Sequence, residues 1–218
     1  MLSFTEENYL KALLHLTMEV EDKVEAGTNE LAFYLGVKPA TATDMLKKLK
    51  DKKLIDYEKY GKISLSATGR KQAIEILRKH RLWETFLYKK LEFTWDEVHE
   101  VAEQLEHIHS QKLVDKLDKF LGYPEFDPHG DSIPNAKGEL KQSFKKTLFE
   151  VPTDSSCKMV AVKDNTAAFL QYVSKLDLGI DTPIKVLSRQ EYDGSMEILI
   201  REKKIMVSQK FAENILIV

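Results

Sequence analysis

The chain has 218 residues, of which 43% are hydrophobic, so it is long enough to bury one or two hydrophobic cores. Its N-terminal segment is amphipathic and acidic, without a basic stretch or a cleavage motif, and no apolar run approaches the length of a membrane span. The single cysteine, Cys157, excludes an internal disulfide and is expected to be a small buried residue. We therefore expect a globular protein of the reducing cytoplasm.

The formal net charge of −2 conceals two segments of opposite sign. Residues 38–71 carry ten lysines and arginines against four acids, whereas residues 92–109 carry six acids, three histidines and no lysine or arginine. A basic segment suits contact with phosphates, and an acidic segment with histidines suits binding of a cation. The charge pattern therefore predicts two separate tasks.

The first part of the chain has the pattern of a winged helix-turn-helix. Apolar spacing predicts a helix over residues 5–19, with Thr5 as its N-cap. A short helix over 28–35 stops at Gly36, and Pro39 suits the first position of a longer helix that runs to residue 51. Two alternating segments follow and predict a β-hairpin, the wing. These segments are residues 54–57 and 63–66, with residues 59–62 between them.

The longer helix of this motif would enter the major groove of DNA. Its exposed threonines and lysines suit base edges and phosphates, and lysines of the hairpin suit the DNA backbone. The predicted DNA-binding residues are Lys38, Pro39, Thr41, Thr43, Lys47, Lys48, Lys59 and Lys62. The alternative is that these lysines form only a solvated face.

The second part of the chain is predicted to be helical and the last part to be a small β-sheet. Helical spacing covers residues 68–91, 95–109 and 110–121, and a polar linker follows at 135–146. Beyond residue 149 the apolar segments are short and β-branched, which favours a small sheet or barrel. The predicted strands are residues 158–162, 184–187, 196–200, 205–207 and 215–218.

Six potential metal ligands follow helical spacing in the middle of the chain. His80 and Glu84 are i, i+4 neighbours on one predicted helix. On the next helix, the positions i, i+4, i+7 and i+8 share an arc of roughly 100°. These positions are His99, Glu103, Glu106 and His107. Two packed helices of this kind can direct imidazoles and carboxylates at one divalent cation.

Other interpretations of these residues stay open at this point. An acidic, solvated helix face explains the same spacing. The remaining histidines, His15, His109 and His129, are expected on the surface or in the core rather than as ligands. The chain has no glycine-rich phosphate loop, HExxH motif or CxxC motif, and nothing in it argues for catalysis.

The segments RKHRLWE at 78–84 and VHEVAEQLEH at 98–107 resemble the metal-binding motifs of the diphtheria toxin repressor family. The resemblance covers essentially all 218 residues. It implies a mainly α fold with a winged helix-turn-helix, a helical dimerisation domain and a small C-terminal SH3-like β-barrel domain. The implied parts are residues 1–72 for DNA binding, 73–134 for metal binding and dimerisation, 135–150 as linker, and 151–218 as the SH3-like (FeoA-like) domain.

The resemblance also implies two metal sites. The first has His80, Glu84 and His99, and Asp164 of the C-terminal domain is a weaker candidate for it. The second has Glu103, Glu106, His107 and, from the first helix, Asn8. Iron-tuned relatives carry cysteine in place of Glu103, and a hard carboxylate there favours Mn²⁺ over Fe²⁺.

The chain departs from the manganese pattern on its first helix, where Asn8 and Lys11 stand in place of two acidic ligands. A charged lysine offers only donors, so separate sites are expected rather than a two-metal cluster.

The function that the resemblance implies is that of a homodimeric repressor of manganese or iron homeostasis genes. Metal would act as co-repressor on a palindromic DNA operator, and acidification would weaken metal binding. One alternative is a winged-helix regulator that senses iron or a ligand other than a metal, and a second is a helical-bundle metal-binding protein.

Overall fold

The protein is described by a computed structural model that covers residues 2–18, 23–57, 61–140 and 146–218. The chain divides into two compact units. Unit 1 comprises Met1–His80, Gln104–Gln111 and Pro134–Glu139, and unit 2 comprises Arg81–Glu103, Lys112–Ile133 and Leu140–Val218.

Unit 1 contains the predicted winged helix-turn-helix. Its elements are α1 (Phe4–Met18), β1 (Ala26–Gly27), α2 (Thr28–Tyr34), α3 (Pro39–Asp51), β2 (Ile55–Tyr57) and β3 (Lys62–Leu65). Pro39 begins α3 as expected, and the inward positions Ala42, Leu46 and Leu49 are fully buried. The three strands form an antiparallel sheet in the order β1-β3-β2. Lys59 and the rest of the wing tip lie outside the described residues.

Two details of unit 1 differ from the sequence prediction. Ser3, not Thr5, caps α1, because its hydroxyl accepts the Glu6 N–H at 3.3 Å while its own N–H donates to Glu6 Oε2 at 2.9 Å. The prediction for Thr5 was therefore wrong, and the helix starts at Phe4. Strand β1 was not predicted, because two residues that pair with β3 leave no alternating pattern.

Three helices follow: α4 (Ala67–Leu91), α5 (Val98–Leu105) and α6 (Gln111–Phe120). Helix α5 is shorter than the predicted segment 95–109. Glu106 and His107 lie in the turn after it, where the Ile108 N–H bonds to the Leu105 carbonyl at 3.2 Å. The predicted single helical face therefore does not extend to Glu106 and His107.

The C-terminal part of unit 2 is a six-stranded antiparallel sheet in the order β4-β9-β5-β6-β7-β8. Its elements are β4 (Lys146–Thr147), β5 (Ser156–Val162), α7 (Ala167–Lys175), β6 (Pro183–Arg189), β7 (Met196–Ile200), β8 (Lys203–Val207), α8 (Gln209–Glu213) and β9 (Ile215–Ile217). All five predicted strands are confirmed, whereas α7 and α8 were not predicted. Lys146, assigned to the linker, belongs to β4.

Cys157 lies in the core of this sheet, as expected, and burial raises the pKa of its thiol to about 11. The predicted fold class is confirmed, with a winged helix-turn-helix, a helical middle part and a small C-terminal sheet. Among the described residues, no helix combines the length and apolar character needed to cross a membrane.

A tight turn at residues 127–131 contacts the sheet, because the Val162 N–H of β5 bonds to the His129 carbonyl at 3.2 Å. Asp127 Oδ1 accepts the N–H groups of His129 at 2.8 Å and Asp131 at 2.9 Å. Gly130 has a φ of +83°, and a Cβ there would lie 1.8 Å from the Val160 carbonyl oxygen of β5. Only glycine fits this approach without moving the strand.

Replacing Gly130 with alanine should therefore destabilise unit 2 by about 2–4 kcal/mol, since it adds a positive-φ penalty to a backbone clash. The measurement is the midpoint of chemical unfolding, followed by the fluorescence of Trp95 in the core of the same unit. Gly179→Ala is the matched control, because nothing lies within 4 Å of a Cβ at Gly179. Equal midpoints for the two variants would contradict the close approach.

Candidate metal centre and nucleic-acid interface

Unit 2 brings together three buried side chains that can ligate a metal. Glu84 of α4 and Asp127 and His129 of the 127–131 turn each offer one ligand atom, and these atoms lie within 4.8 Å of one another. Their residues are only 2%, 6% and 1% exposed. We refer to these three residues as the buried triad.

The hydrogen bonds of His129 determine which of its nitrogens faces the triad. Nε2 lies 3.1 Å from the Trp95 carbonyl oxygen, which can only accept, so Nε2 carries a hydrogen. Nδ1 lies 3.8 Å from Glu84 Oε1 and is therefore the nitrogen with the lone pair when the ring is neutral. Metal-ligating histidines are commonly held in this way by an N–H bond to a backbone carbonyl.

The electrostatics of the triad favour a cation between its members. Burial raises the pKa of Asp127 to about 7, with the charges of Asp131 and Glu84 adding to the effect and Arg81 opposing it. Burial alone would lower the pKa of His129, but the contact with Glu84 outweighs it and raises the pKa. Two buried carboxylates are costly unless positive charge compensates them.

The donor set fits a divalent transition metal. Two carboxylates and one imidazole supply hard and intermediate ligands without sulfur, which suits Mn²⁺ and Fe²⁺. Glu84 Oε1 is also 3.2 Å from His99 Nδ1, and His99 Nε2 is 3.6 Å from Glu103 Oε1. Glu84 thus connects the buried triad with a more exposed pair of predicted ligands.

The predicted ligands in unit 1 have different partners. Glu106 Oε2 is 2.6 Å from His80 Nδ1 and 2.7 Å from Lys11 Nζ. Burial acts to raise the pKa of Glu106, but the hydrogen bond with His80 and the charge of Lys11 hold it below its usual value. His107 Nδ1 is 2.6 Å from Glu7 Oε2.

Two weaker candidates lie apart from these pairs. Asn8 Oδ1 is buried and has no hydrogen-bond partner among the described residues. Asp164 Oδ1 accepts the Thr166 N–H at 2.9 Å and is not part of the buried triad.

Sequence reasoning missed Asp127 and did not assign His129 as a ligand. Asp127 resembles an ordinary turn former beside Pro128, and His129 was expected on the surface or in the core. The signal that could have revealed them is the spacing in Asp-Pro-His-Gly, which places a carboxylate and an imidazole two residues apart in one turn.

Helix α3 presents most of the predicted DNA-binding residues to solvent. Lys38 is its N-cap, and the residues that follow at its exposed start are Pro39 and Thr41. Thr43 Oγ1 donates to the Pro39 carbonyl at 2.9 Å, so part of its bonding capacity is used within the helix.

The lysines of this surface differ in their partners. Lys47 pairs with Asp44 at 3.1 Å and Lys62 with Glu25 at 3.0 Å, while Lys48 is exposed on α3. Lys47 and Lys62 would have to exchange a carboxylate for a phosphate on binding DNA.

Three family models match the chain. The N-terminal DNA binding domain of the iron dependent repressor matches residues 1–63, and its metal binding and dimerisation domain matches residues 66–135. A FeoA domain model matches residues 146–218.

Individual relatives match over different lengths. The diphtheria toxin repressor of Corynebacterium jeikeium is 30% identical over 130 residues, which are 60% of this chain and 53% of that protein. A probable metal transport system membrane protein of Chlamydia trachomatis is 41% identical over 71 residues, which are 33% of this chain. The match spans only 16% of the length of that relative. A solved manganese-dependent transcriptional repressor in complex with manganese is 32% identical, with a TM-score of 0.85 over 98% of this chain and 99% of that chain.

The geometry of the buried triad predicts that His129→Ala lowers the affinity for Mn²⁺ by more than about 100-fold, because it removes a ligand and not merely a residue that supports one. Isothermal titration of metal-free protein measures this change. His15→Ala is the control, since the His15 ring packs against Tyr34 and His15 belongs to no group of convergent ligand atoms among the described residues. Unchanged affinity in His129→Ala would remove the triad from consideration.

Proposed function

Since the chain belongs to the diphtheria toxin repressor family of metal-dependent regulators, we propose that it is a DNA-binding repressor activated by a divalent metal at the buried triad. It acts as a homodimer on a palindromic operator in the cytoplasm, and Mn²⁺ or Fe²⁺ is the co-repressor. Its targets are genes of manganese or iron homeostasis. This function is regulatory and assigns no catalytic residue to the chain.

The observation that carries this proposal is the buried triad of Glu84, Asp127 and His129. Its ligand atoms converge, the other nitrogen of its histidine is held by a backbone carbonyl, and Arg81 at 3.5 Å from Asp127 opposes only part of the rise in the pKa of that carboxyl. His99 contacts Glu84 and Glu103 contacts His99, so these two more exposed residues are further candidate ligands beside the buried triad.

Manganese is the first choice because the centre contains no sulfur ligand. Oxygen-rich ligand sets favour hard cations, and metal availability in the cell decides among those that fit. Asp164 is the candidate for a further oxygen ligand, since it follows β5, whose Val162 N–H bonds to the His129 carbonyl at 3.2 Å.

Helix α4 connects the metal centre with the DNA-binding part along one element. It begins at Ala67, one residue after the last strand of the wing, and Glu84 follows later in the same helix. A metal that fixes Glu84 to the 127–131 turn would restrict the positions available to this helix. In a dimer, that restriction favours the spacing of two α3 helices that fits successive major grooves.

DNA contact is assigned to the exposed start of α3 and to the wing. Thr41 and Thr43 suit base edges, Pro39 begins the helix that carries them, and five lysines suit the phosphates: Lys38, Lys47, Lys48, Lys59 and Lys62. The basic charge of residues 38–71 supplies the attraction that precedes specific contact.

Metal-coupled DNA binding tests this function directly. A duplex is first selected from a random pool by the protein with Mn²⁺, and its affinity is then measured at constant salt with Mn²⁺, anaerobic Fe²⁺ or Zn²⁺. We expect Mn²⁺ to raise the affinity at least tenfold, and we expect His129→Ala to abolish this gain.

The same measurement separates the alternatives. Tight binding that ignores every metal would favour a regulator that senses another ligand. Metal binding without any DNA binding would favour a helical metal-binding protein.

Replacing Lys48 with alanine should weaken DNA binding about equally for all sequences and reduce the slope of log affinity against log salt by about 1. The reason is the loss of one phosphate contact. Lys175→Ala removes a comparable exposed lysine from α7 and serves as control. A salt slope that is the same in both variants would place Lys48 away from DNA.

A further inference from the structure

Unit 1 contains two buried carboxylates, Glu7 and Glu106, that are compensated by the protein's own side chains. Glu7 is 3% exposed and Glu106 is 0% exposed, so each needs a positive partner nearby. Glu106 is one of the ligands that the family resemblance implies for a second metal site. The surrounding residues show how the charge is met instead.

Lysine and histidine occupy the oxygen of Glu106 that a metal would use. Lys11 Nζ and His80 Nδ1 both contact Oε2, at 2.7 and 2.6 Å. A charged lysine has three donors and no lone pair, so it cannot share a ligand role with the carboxylate. A divalent ion bound to this oxygen would have to displace the ammonium group or lie against its positive charge.

The second carboxylate contacts two imidazole rings and lies in the field of a lysine. Glu7 Oε2 is 2.6 Å from His107 Nδ1, and Glu7 Oε1 is 3.4 Å from His109 Nε2. The half-buried Lys79 feels the negative charges of both Glu7 and Glu106, which act against the lowering of its pKa by burial. The ion pair of Lys11 with Glu106 and the charge of Lys79 near both carboxylates therefore supply positive charge here without a metal.

We propose that Lys11 is a resident cation that replaces a second metal, so that each protomer binds a single regulatory ion, at the buried triad of unit 2. This inference rests on the proposed function for the identity of that first ion. The ion pair of Lys11 with Glu106 holds α1 against the turn after α5 whether or not metal is bound, because Lys11 comes from α1 and Glu106 from that turn. Metal would then control only the contact between α4 and the 127–131 turn.

The remaining donors indicate that one substitution would create a second site. Asn8 Oδ1 and Glu106 Oε1 are buried oxygens without a hydrogen-bond partner among the described residues. Replacing Lys11 with glutamate removes the ammonium group and adds a carboxylate on the same helix. Both changes favour a divalent cation over the present arrangement.

The experiment measures the number of Mn²⁺ ions bound per protomer of metal-free, full-length protein, by titration calorimetry and by loss of the free Mn²⁺ signal in electron paramagnetic resonance. We expect one bound ion for the unmodified chain and none for His129→Ala. We expect two bound ions for Lys11→Glu and one for the double variant that carries both His129→Ala and Lys11→Glu. Lys52→Glu is the matched control, because Lys52 also pairs with a glutamate of α1, Glu6, at 2.6 Å. It should keep one ion.

Two ions in the unmodified chain, one of them lost in Glu106→Gln, would overturn the inference. One ion in a folded Lys11→Glu protein would also overturn it. If Lys11→Glu does not fold, Lys11→Gln decides in the same way, since glutamine supplies an oxygen without the ammonium group.

Failure of the proposed function gives a different result. In that case the unmodified chain binds no ion at the triad. If Lys11→Glu then binds one ion more than the unmodified chain, the role of Lys11 is still supported. If it binds no additional ion, both the proposed function and the role of Lys11 are rejected.

Discussion

The hydrogen bond between His129 and the Trp95 carbonyl determines the chemistry of the proposed metal centre. It places the hydrogen on Nε2 and leaves Nδ1 facing Glu84, so the ring can serve as a ligand without rotating. The bond exists because Asp127 folds the 127–131 turn around its own carboxylate and because Gly130 lets that turn approach β5. Stacking of Trp95 on the ring, with centroids 5.7 Å apart, restricts it further.

The two units offset the unfavourable free energy of burying charged carboxylates in different ways. In unit 1, Lys11 contacts Glu106 directly, and the negative charges of Glu7 and Glu106 act on the half-buried Lys79. In unit 2, Arg81 lies 3.5 Å from Asp127 and opposes the rise in its pKa without preventing it. A metal ion adds little electrostatic stabilisation to carboxylates that the chain's own cations already neutralise. It adds more to carboxylates that are only partly neutralised. The distribution of lysine and arginine thus distinguishes a structural charge cluster from a sensing one.

Much of the fold could be predicted from the sequence, because the long helices and the β-branched strands have strong periodic patterns. The predicted α3 and the five C-terminal strands are present, with shifts of a few residues at their ends. Short elements escaped prediction for a physical reason. Strand β1 has two residues and α8 has five, so neither spans enough positions to show a period, and both depend on tertiary contacts.

The candidate site was less predictable than the fold. Helical spacing predicted Glu84, His99 and Glu103 as ligands, which stays a prediction, and it wrongly extended α5 to include Glu106 and His107. Asp127 and His129 reach the centre through a turn, and no helical or strand period relates them to Glu84. Their convergence depends on how α4 packs against the segment after α6, through contacts such as Leu82 with Ile133. Such contacts are not encoded in local spacing.

The attachment of the 127–131 turn to β5 has a consequence for the order of assembly. His129 accepts the Val162 N–H through its carbonyl, and β5 is itself held by pairing with β9, far along the chain. Contacts between distant segments form late in folding, because closing a long loop costs entropy before the contact is gained. We therefore expect the proposed metal centre to be complete only after the C-terminal sheet has closed. A chain with an incomplete sheet would then bind metal less tightly, so bound metal would stabilise the completed fold relative to partly folded chains.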